Sequence, residues 1–179
     1  SLWSVDLFRA ESITLKTHWI MVVLDQYTGR IIGFAVHAGN VKGPAACWMF
    51  NDATSGNSWP ERLSSDNDPL FQYHRWKANL RVLDIEEIKS LPHVPMSHPF
   101  VERLIGSVRR ELLDQTFFWT VTDLENKLMN YQRYYNQYRC HSSRDGATPV
   151  HSGENNIVDI NRYRWKQHCR GLFELPVAA

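Results

Sequence analysis

A mixed α/β domain is what this sequence predicts, and three observations predict it. Short apolar runs separated by turn residues fill the stretch from Leu2 to Val36. An apolar stripe at helical spacing follows Pro99, with a second one after Thr122. Between these two regions, stretches patterned like helices and strands alternate. Hydrophobic residues make up 43% and charged residues 22%, a globular rather than a disordered balance.

The elements follow in order. Leu2 to Phe8 reads as a strand, interrupted by Asp6. Trp19 to Leu24 is continuously apolar, which suits a strand covered on both faces. Tyr27-Thr28-Gly29 is a turn signal, and Arg30 to Val36 returns as a third strand. Pro44 to Phe50 reads as a helix, and Glu61 to Ser65 as a fourth strand ending at Asp66. A helix from Pro69 to about Asn79 and a short strand near Arg81 to Ile85 come next. Pro92, Pro95 and Pro99 exclude a continuous helix between Ile88 and Pro99, so that segment is expected to be irregular. From Pro99 to Asp114, Val101, Leu104, Ile105, Val108 and Leu112 form one apolar face. A capping box at Thr122-Asp123-Leu124-Glu125 opens a second helix, buried through Leu124, Leu128, Tyr131, Tyr135 and Tyr138. His151 to Asn156 is loop-like. The stretch from Arg162 to Arg170 interleaves Arg162, Arg164, Lys166 and Arg170 with Tyr163 and Trp165. The chain therefore divides into a core over 1–150 and a basic-aromatic C-terminal tail over 151–179.

Some function classes are disfavoured at once. No apolar run approaches a membrane span, and no signal peptide opens the chain. Cys47, Cys140 and Cys169 are odd in number and widely spaced, which points to a reducing cytosol. A net charge of +1 argues against binding nucleic acid by bulk charge, so any basic surface must be local.

Three acids stand where acids are hard to explain structurally. Asp6 interrupts an apolar strand, so it should face a cleft, find a partner such as Lys16 or Arg30, or bind metal. Asp66 follows a strand directly; it reads either as a turn residue or as a site residue. Glu102 lies in the first turn of the helix opened by Pro99, where it suits the helix dipole or a site equally. Residues 67–101, 35 in all, separate Asp66 from Glu102. Arg109 lies seven residues after Glu102 and Glu111 nine after it. Further on come Tyr135-Asn136, Arg139, His141-Ser142 and Thr148-Pro149.

This set resembles the catalytic core of bacterial insertion-sequence DDE transposases and retroviral-type integrases, over roughly residues 1–150. The resemblance implies an RNase H-like fold, with a central mixed five-stranded sheet flanked by helices. It implies an enzyme that cleaves DNA phosphodiesters and transfers strands during transposition or integration. Asp6, Asp66 and Glu102 would hold two Mg²⁺ or Mn²⁺ ions, with water or a DNA 3′-hydroxyl as nucleophile. Arg109, with Arg103 and Arg110 beside it, would contact DNA. Asn136, Arg139 and His141 would either position phosphate or lock the helix end. Transposon ends and target DNA are the implied partners, with a homodimer or larger assembly on DNA. A bacterial cytoplasm, with nucleoid association on DNA, is the implied location. Asp6 lies five residues from the first, so the family's N-terminal DNA-binding helices are expected to be absent, and the chain to be the core of a longer transposase.

Three residues complicate the reading. Asp25 precedes a turn and is most simply a hairpin residue. Asp68 stands where many family members have glycine; it reads as an N-cap before Pro69 or as a fourth metal-reaching acid. Gly106, between Glu102 and Arg109, would let a backbone approach closely. Two other functions remain open: a catalytically silent DNA-binding or oligomerisation remnant, and an RNase H-like nuclease.

Overall fold

Three consecutive strands, β1 (Leu2–Glu11), β2 (Thr17–Asp25) and β3 (Ile31–Ala38), pair antiparallel in the computed structural model of the chain. The structure describes residues 1–89, 99–140, 148–150 and 163–178. The expected strand at Leu2 extends to Glu11, because Arg9, Ala10 and Glu11 continue the ladder opposite Trp19, His18 and Thr17. Asp25 is the hairpin residue it promised to be: its Oδ1 accepts from the Tyr27 amide at 2.9 Å. Helix α1 (Gly43–Ala53) then crosses to β4 (Arg62–Ser65), which pairs parallel with β1. The edge strand β5 (Glu86–Lys89) pairs parallel with β4. The sheet order is β3-β2-β1-β4-β5, mixed and five-stranded as expected.

Helices cover both faces of this sheet. Helix α2 (His74–Val82) packs with α1 on one face, burying Phe50, Phe71 and Trp76 against Met21 and Val23. Each such large apolar side chain contributes about 1.5–3 kcal/mol on burial. On the other face lie α3 (Pro99–Val108) and α4 (Val121–Gln137), with Val101, Leu104, Val108, Leu112, Leu124, Leu128 and Tyr131 packed on Phe8, Ile20 and Val22. Two glycines permit close packing on the first face. A Cβ on Gly33 would meet the Ala53 carbonyl oxygen at 1.9 Å, and one on Gly43 would meet the Tyr73 ring at 1.8 Å.

Four expectations need correction. The helix from Pro69 is a 3₁₀ turn (Pro69–Gln72) followed by α2, broken at Tyr73, whose backbone is extended. The strand expected at Arg81 to Ile85 lies instead at Glu86–Lys89; Arg81 and Val82 end α2, and Asp84 (φ 56°) turns the chain in the left-handed region. Ile88 is thus in a strand rather than in the irregular segment, whose residues 90–98 lie outside the described residues. The cap of α4 is Thr120, not Thr122: Thr120 Oγ1 accepts from the Asp123 amide at 3.1 Å, and Asp123 Oδ2 accepts from the Trp119 amide at 3.2 Å. The register moves because Asp123, not Glu125, reaches back. Tyr138 caps the helix half-buried instead of continuing its buried face.

The helix opened by Pro99 ends in a π turn, Arg109–Leu113, where the Asp114 amide reaches the Arg109 carbonyl at 2.8 Å. Part of the C-terminal tail is a hairpin, β6 (Tyr163–His168) with β7 (Phe173–Ala178). It docks on α4 through buried Cys169, a His168–Tyr138 ring contact of 4.6 Å, and an Arg170–Asp123 ion pair of 3.0 Å. The loop expected over His151 to Asn156, and Arg162, lie outside the described residues.

Candidate active site

The site begins with strand register. In the parallel pair, Leu2 stands opposite Arg62 and Val5 opposite Ser65, so the next positions along are Asp6 and Asp66. The ladder stops at Ser65 because Asp68 starts the 3₁₀ turn, its Oδ1 accepting from the Leu70 amide at 2.8 Å. Asp66 therefore sits past the carboxyl end of a parallel strand, where open α/β sheets place ligands. Side chains alternate along β1, so Asp6 shares a face with Phe8, the face covered by α3 and α4. Glu102 is exposed in the first turn of α3 on that side.

Electrostatics show the convergence. The Asp6 carboxyl is pushed up to about 7, first by burial and then by the charges of Asp66, Glu102 and Asp68. The Leu7 amide, donating to Asp6 Oδ1 at 2.7 Å, opposes the rise. Among the described residues, neither Lys16 nor Arg30 forms an ion pair with Asp6; Arg30 bonds Asn57 instead, at 3.3 Å. Four acids thus share one corner of the sheet without a nearby cation on Asp6.

What holds Asp66 was not legible in the sequence. Lys89 Nζ, at the end of β5, donates to Ser65 Oγ at 3.0 Å, the Phe71 carbonyl at 2.9 Å and the Asp66 carbonyl at 3.5 Å. Its charge is matched by Glu87 at 2.7 Å. Glu87 in turn accepts from Ser65 Oγ at 2.7 Å and Trp76 Nε1 at 2.9 Å. The network ties the end of β4 to the 3₁₀ turn and so fixes the backbone that carries Asp66. Asp68 spends one oxygen on its cap, and Asp66 Oδ1 accepts from the Asp68 amide at 3.0 Å.

The basic residues separate into two groups. Arg109 is exposed, with Nη2 donating to the Arg9 carbonyl at 3.2 Å and its guanidinium 5.4 Å from the Phe8 ring centre. Arg103 and Arg110 are exposed on α3 and in the π turn. Asn136 is turned inward: its Oδ1 accepts from the Ile31 amide and its Nδ2 donates to the Ile31 carbonyl, both at 2.9 Å. With 7% of its surface accessible, it pins β3 to α4. Arg139 grips Glu111, Nη2 to Oε1 at 2.7 Å and Nε to Oε2 at 3.0 Å, while Tyr131 donates to Glu111 Oε2 at 2.9 Å. Both residues hold the end of α4 in place, Asn136 against β3 and Arg139 against Glu111. His141 lies outside the described residues.

Residues 83–149 match the integrase core domain family. The chain is also similar, at 25% identity over 153 residues, to an uncharacterized 39.2 kDa protein of insertion element IS476 from Xanthomonas euvesicatoria. That match covers 86% of this chain and 44% of the relative, so the chain spans less than half of the relative's length. Among solved structures, a simian T-cell lymphotropic virus intasome gives a TM-score of 0.68 at 17% identity, covering 98% of this chain and 65% of the matched one. The HTLV-2 integrase catalytic core domain, solved in complex with magnesium in a dimeric form, gives 0.61 at 18% identity, with 83% and 92% covered. The BIV integrase catalytic core domain gives 0.58 at 21% identity, with 83% and 90% covered. The expected RNase H-like architecture, a mixed five-stranded sheet between helices, is thereby found.

The donors in the acid corner are all carboxylate oxygens, the ligand type that Mg²⁺ and Mn²⁺ select. Among the described residues, no three His, Cys, Asp or Glu side chains are gathered closely enough to hold a metal ion as they stand. Among the described residues, no helix is long and apolar enough to cross a membrane.

Proposed function

We propose that this chain is the catalytic core of a metal-dependent polynucleotidyl transferase, cleaving DNA phosphodiesters and transferring strands in transposition. What carries the reading is the β1–β4 register, which brings Asp6 beside Asp66 in the electrostatic reach of Glu102. Asp6, Asp66 and Glu102 would hold two divalent ions, which supply neutralisation of phosphate charge and activation of the attacking oxygen. The magnesium in the HTLV-2 integrase core is in keeping with this.

The chain's own residues do the rest. Burial and neighbouring acids push the Asp6 carboxyl up to about 7, so Asp6 would give up its proton on holding a cation. Lys89 and Glu87 keep the Asp66 backbone in place, so that its side chain would be held ready as a ligand. Glu102, in the first turn of α3, would complete the set. Arg109, two helical turns from Glu102, would meet a DNA phosphate near the scissile one. DNA ends and target DNA are the partners this reading requires, and the dimeric form of the HTLV-2 core supports a homodimer or larger assembly on DNA.

The test is a cleavage and strand-transfer assay on the element's DNA ends with Mn²⁺. Glu102→Gln should lose more than about 100-fold in rate, the loss that even outer-shell groups of metal sites produce, while DNA binding persists. Cleavage by Glu102→Gln at the parent rate would remove Glu102 from the site and make Asp68 the next residue to substitute.

A further inference from the structure

Beside the acid corner, a cleft of about 580 Å³ opens between the β2–β3 turn and α3. Arg103 and Arg110 line it from one side of α3, two helical turns apart, and Phe100 lies one turn ahead of Arg103. Arg139 reaches it from the end of α4, and Tyr27 forms the lip on the turn. No acid lines this cleft among the described residues. Arg139 is neutralised by Glu111, but Arg103 and Arg110 have no carboxylate partner among the described residues.

The aromatic residues at the rim are the second observation. Tyr27 is 91% exposed and Phe100 52% exposed, and both stand on the cleft beside the arginines. A cleft of this volume suits a small ligand and cannot receive a double helix. Exposed guanidinium groups along the cleft and exposed aromatic faces at its edge form the combination that takes single-stranded nucleic acid, phosphates on cations and bases on rings.

We propose that the cleft binds one or two unpaired nucleotides at the end of the DNA on which the acid corner acts, their phosphates on Arg103 and Arg110 and a base against Tyr27 or Phe100. Glu102 and Arg103 are adjacent on α3, so a strand passing the acids is led over the same helix into the cleft. The inference rests on the DNA-acting reading above.

Fluorescence anisotropy tests it without catalysis, in buffer free of divalent metal. The probes are a labelled blunt duplex and the same duplex carrying a short single-stranded extension. The extension should tighten binding by at least about fivefold, the lower end of what one stacked base contributes. It should also steepen the dependence of log affinity on log salt by about 1.4, from two single-strand phosphate contacts. The Arg103→Ala/Arg110→Ala double variant should lose both the gain and the extra salt dependence. Tyr27→Ala should lose most of the gain and keep the salt dependence. All three side chains are exposed, so unchanged melting curves would confirm folding. Equal binding of the two duplexes, or a gain that survives the double variant, overturns the cleft while the DNA-acting reading stands. Failure of both duplexes to bind the parent overturns the two together.

Discussion

Glu102 and Glu111 stand nine residues apart on one continuous helical segment, yet their surroundings are opposite. Glu111 is clasped by Arg139 and receives the Tyr131 hydroxyl, with side chains about three-quarters buried on both partners. Glu102 faces solvent and the Asp6 carboxyl, with no cation paired to it among the described residues. The π turn at Arg109–Leu113 lies between the two environments and carries Glu111. A satisfied acid holds the fold, whereas burial and the neighbouring acids raise the proton affinity of Asp6. The acid corner is therefore a place where charge is left uncompensated, and the Glu111 lock a place where it is matched.

The largest effect that would break this contrast comes from substituting both glutamates alike. Glu111→Ala strands the Arg139 guanidinium and the Tyr131 hydroxyl, and should cost about 2–3 kcal/mol in urea unfolding. Glu102→Ala should stay within about 0.5 kcal/mol of the parent, as exposed substitutions do. Equal losses at the two positions would show that Glu102 is structural as well.

A smaller effect sharpens the acid side. Folded Asp6 holds its proton to about pH 7, whereas the unfolded chain releases it near 3.8. Between those values the native state binds more protons, so this group's contribution makes stability fall as pH rises from about 4 to 7. Asp6→Asn should remove that slope and, in metal-free buffer at pH 8, should be more stable than the parent by about 1–2 kcal/mol once solvent screening is allowed for. Thermal melts across pH give the answer, and a parent whose stability rises steadily over the same range would contradict the crowded-acid account.

Sequence made the buried strands and the amphipathic helices legible, because Ile20 to Leu24 is continuously apolar and the stripe from Val101 to Leu112 recurs at helical spacing. The edge strand β5 was misplaced because Glu86, Glu87, Ile88 and Lys89 are half-buried or exposed and owe their position to pairing with β4 and to the Lys89–Glu87–Ser65 network. Tertiary contacts between residues 24 positions apart leave no periodic trace. The hairpin β6–β7 went unread for a similar reason: Tyr163 to His168 is mostly polar, and its docking on α4 through His168, Cys169 and Arg170 is tertiary. At the site, spacing and resemblance singled out Asp6, Asp66 and Glu102, but nothing in the chain announced Lys89 beneath Asp66. Arg139 and Asn136 looked suited to phosphate, and only the fold reveals that Glu111 and Ile31 already engage them.

The central claim is that the uncompensated acids of β1, β4 and α3 form a divalent-metal site. Anomalous diffraction from crystals of the chain soaked in Mn²⁺ tests it most directly. The account predicts a peak between Asp6 and Asp66, about 2.1 Å from a carboxylate oxygen of each, with Glu102 drawn toward it when a second ion binds. A soaked crystal with Mn²⁺ bound elsewhere and no peak between Asp6 and Asp66 would contradict it.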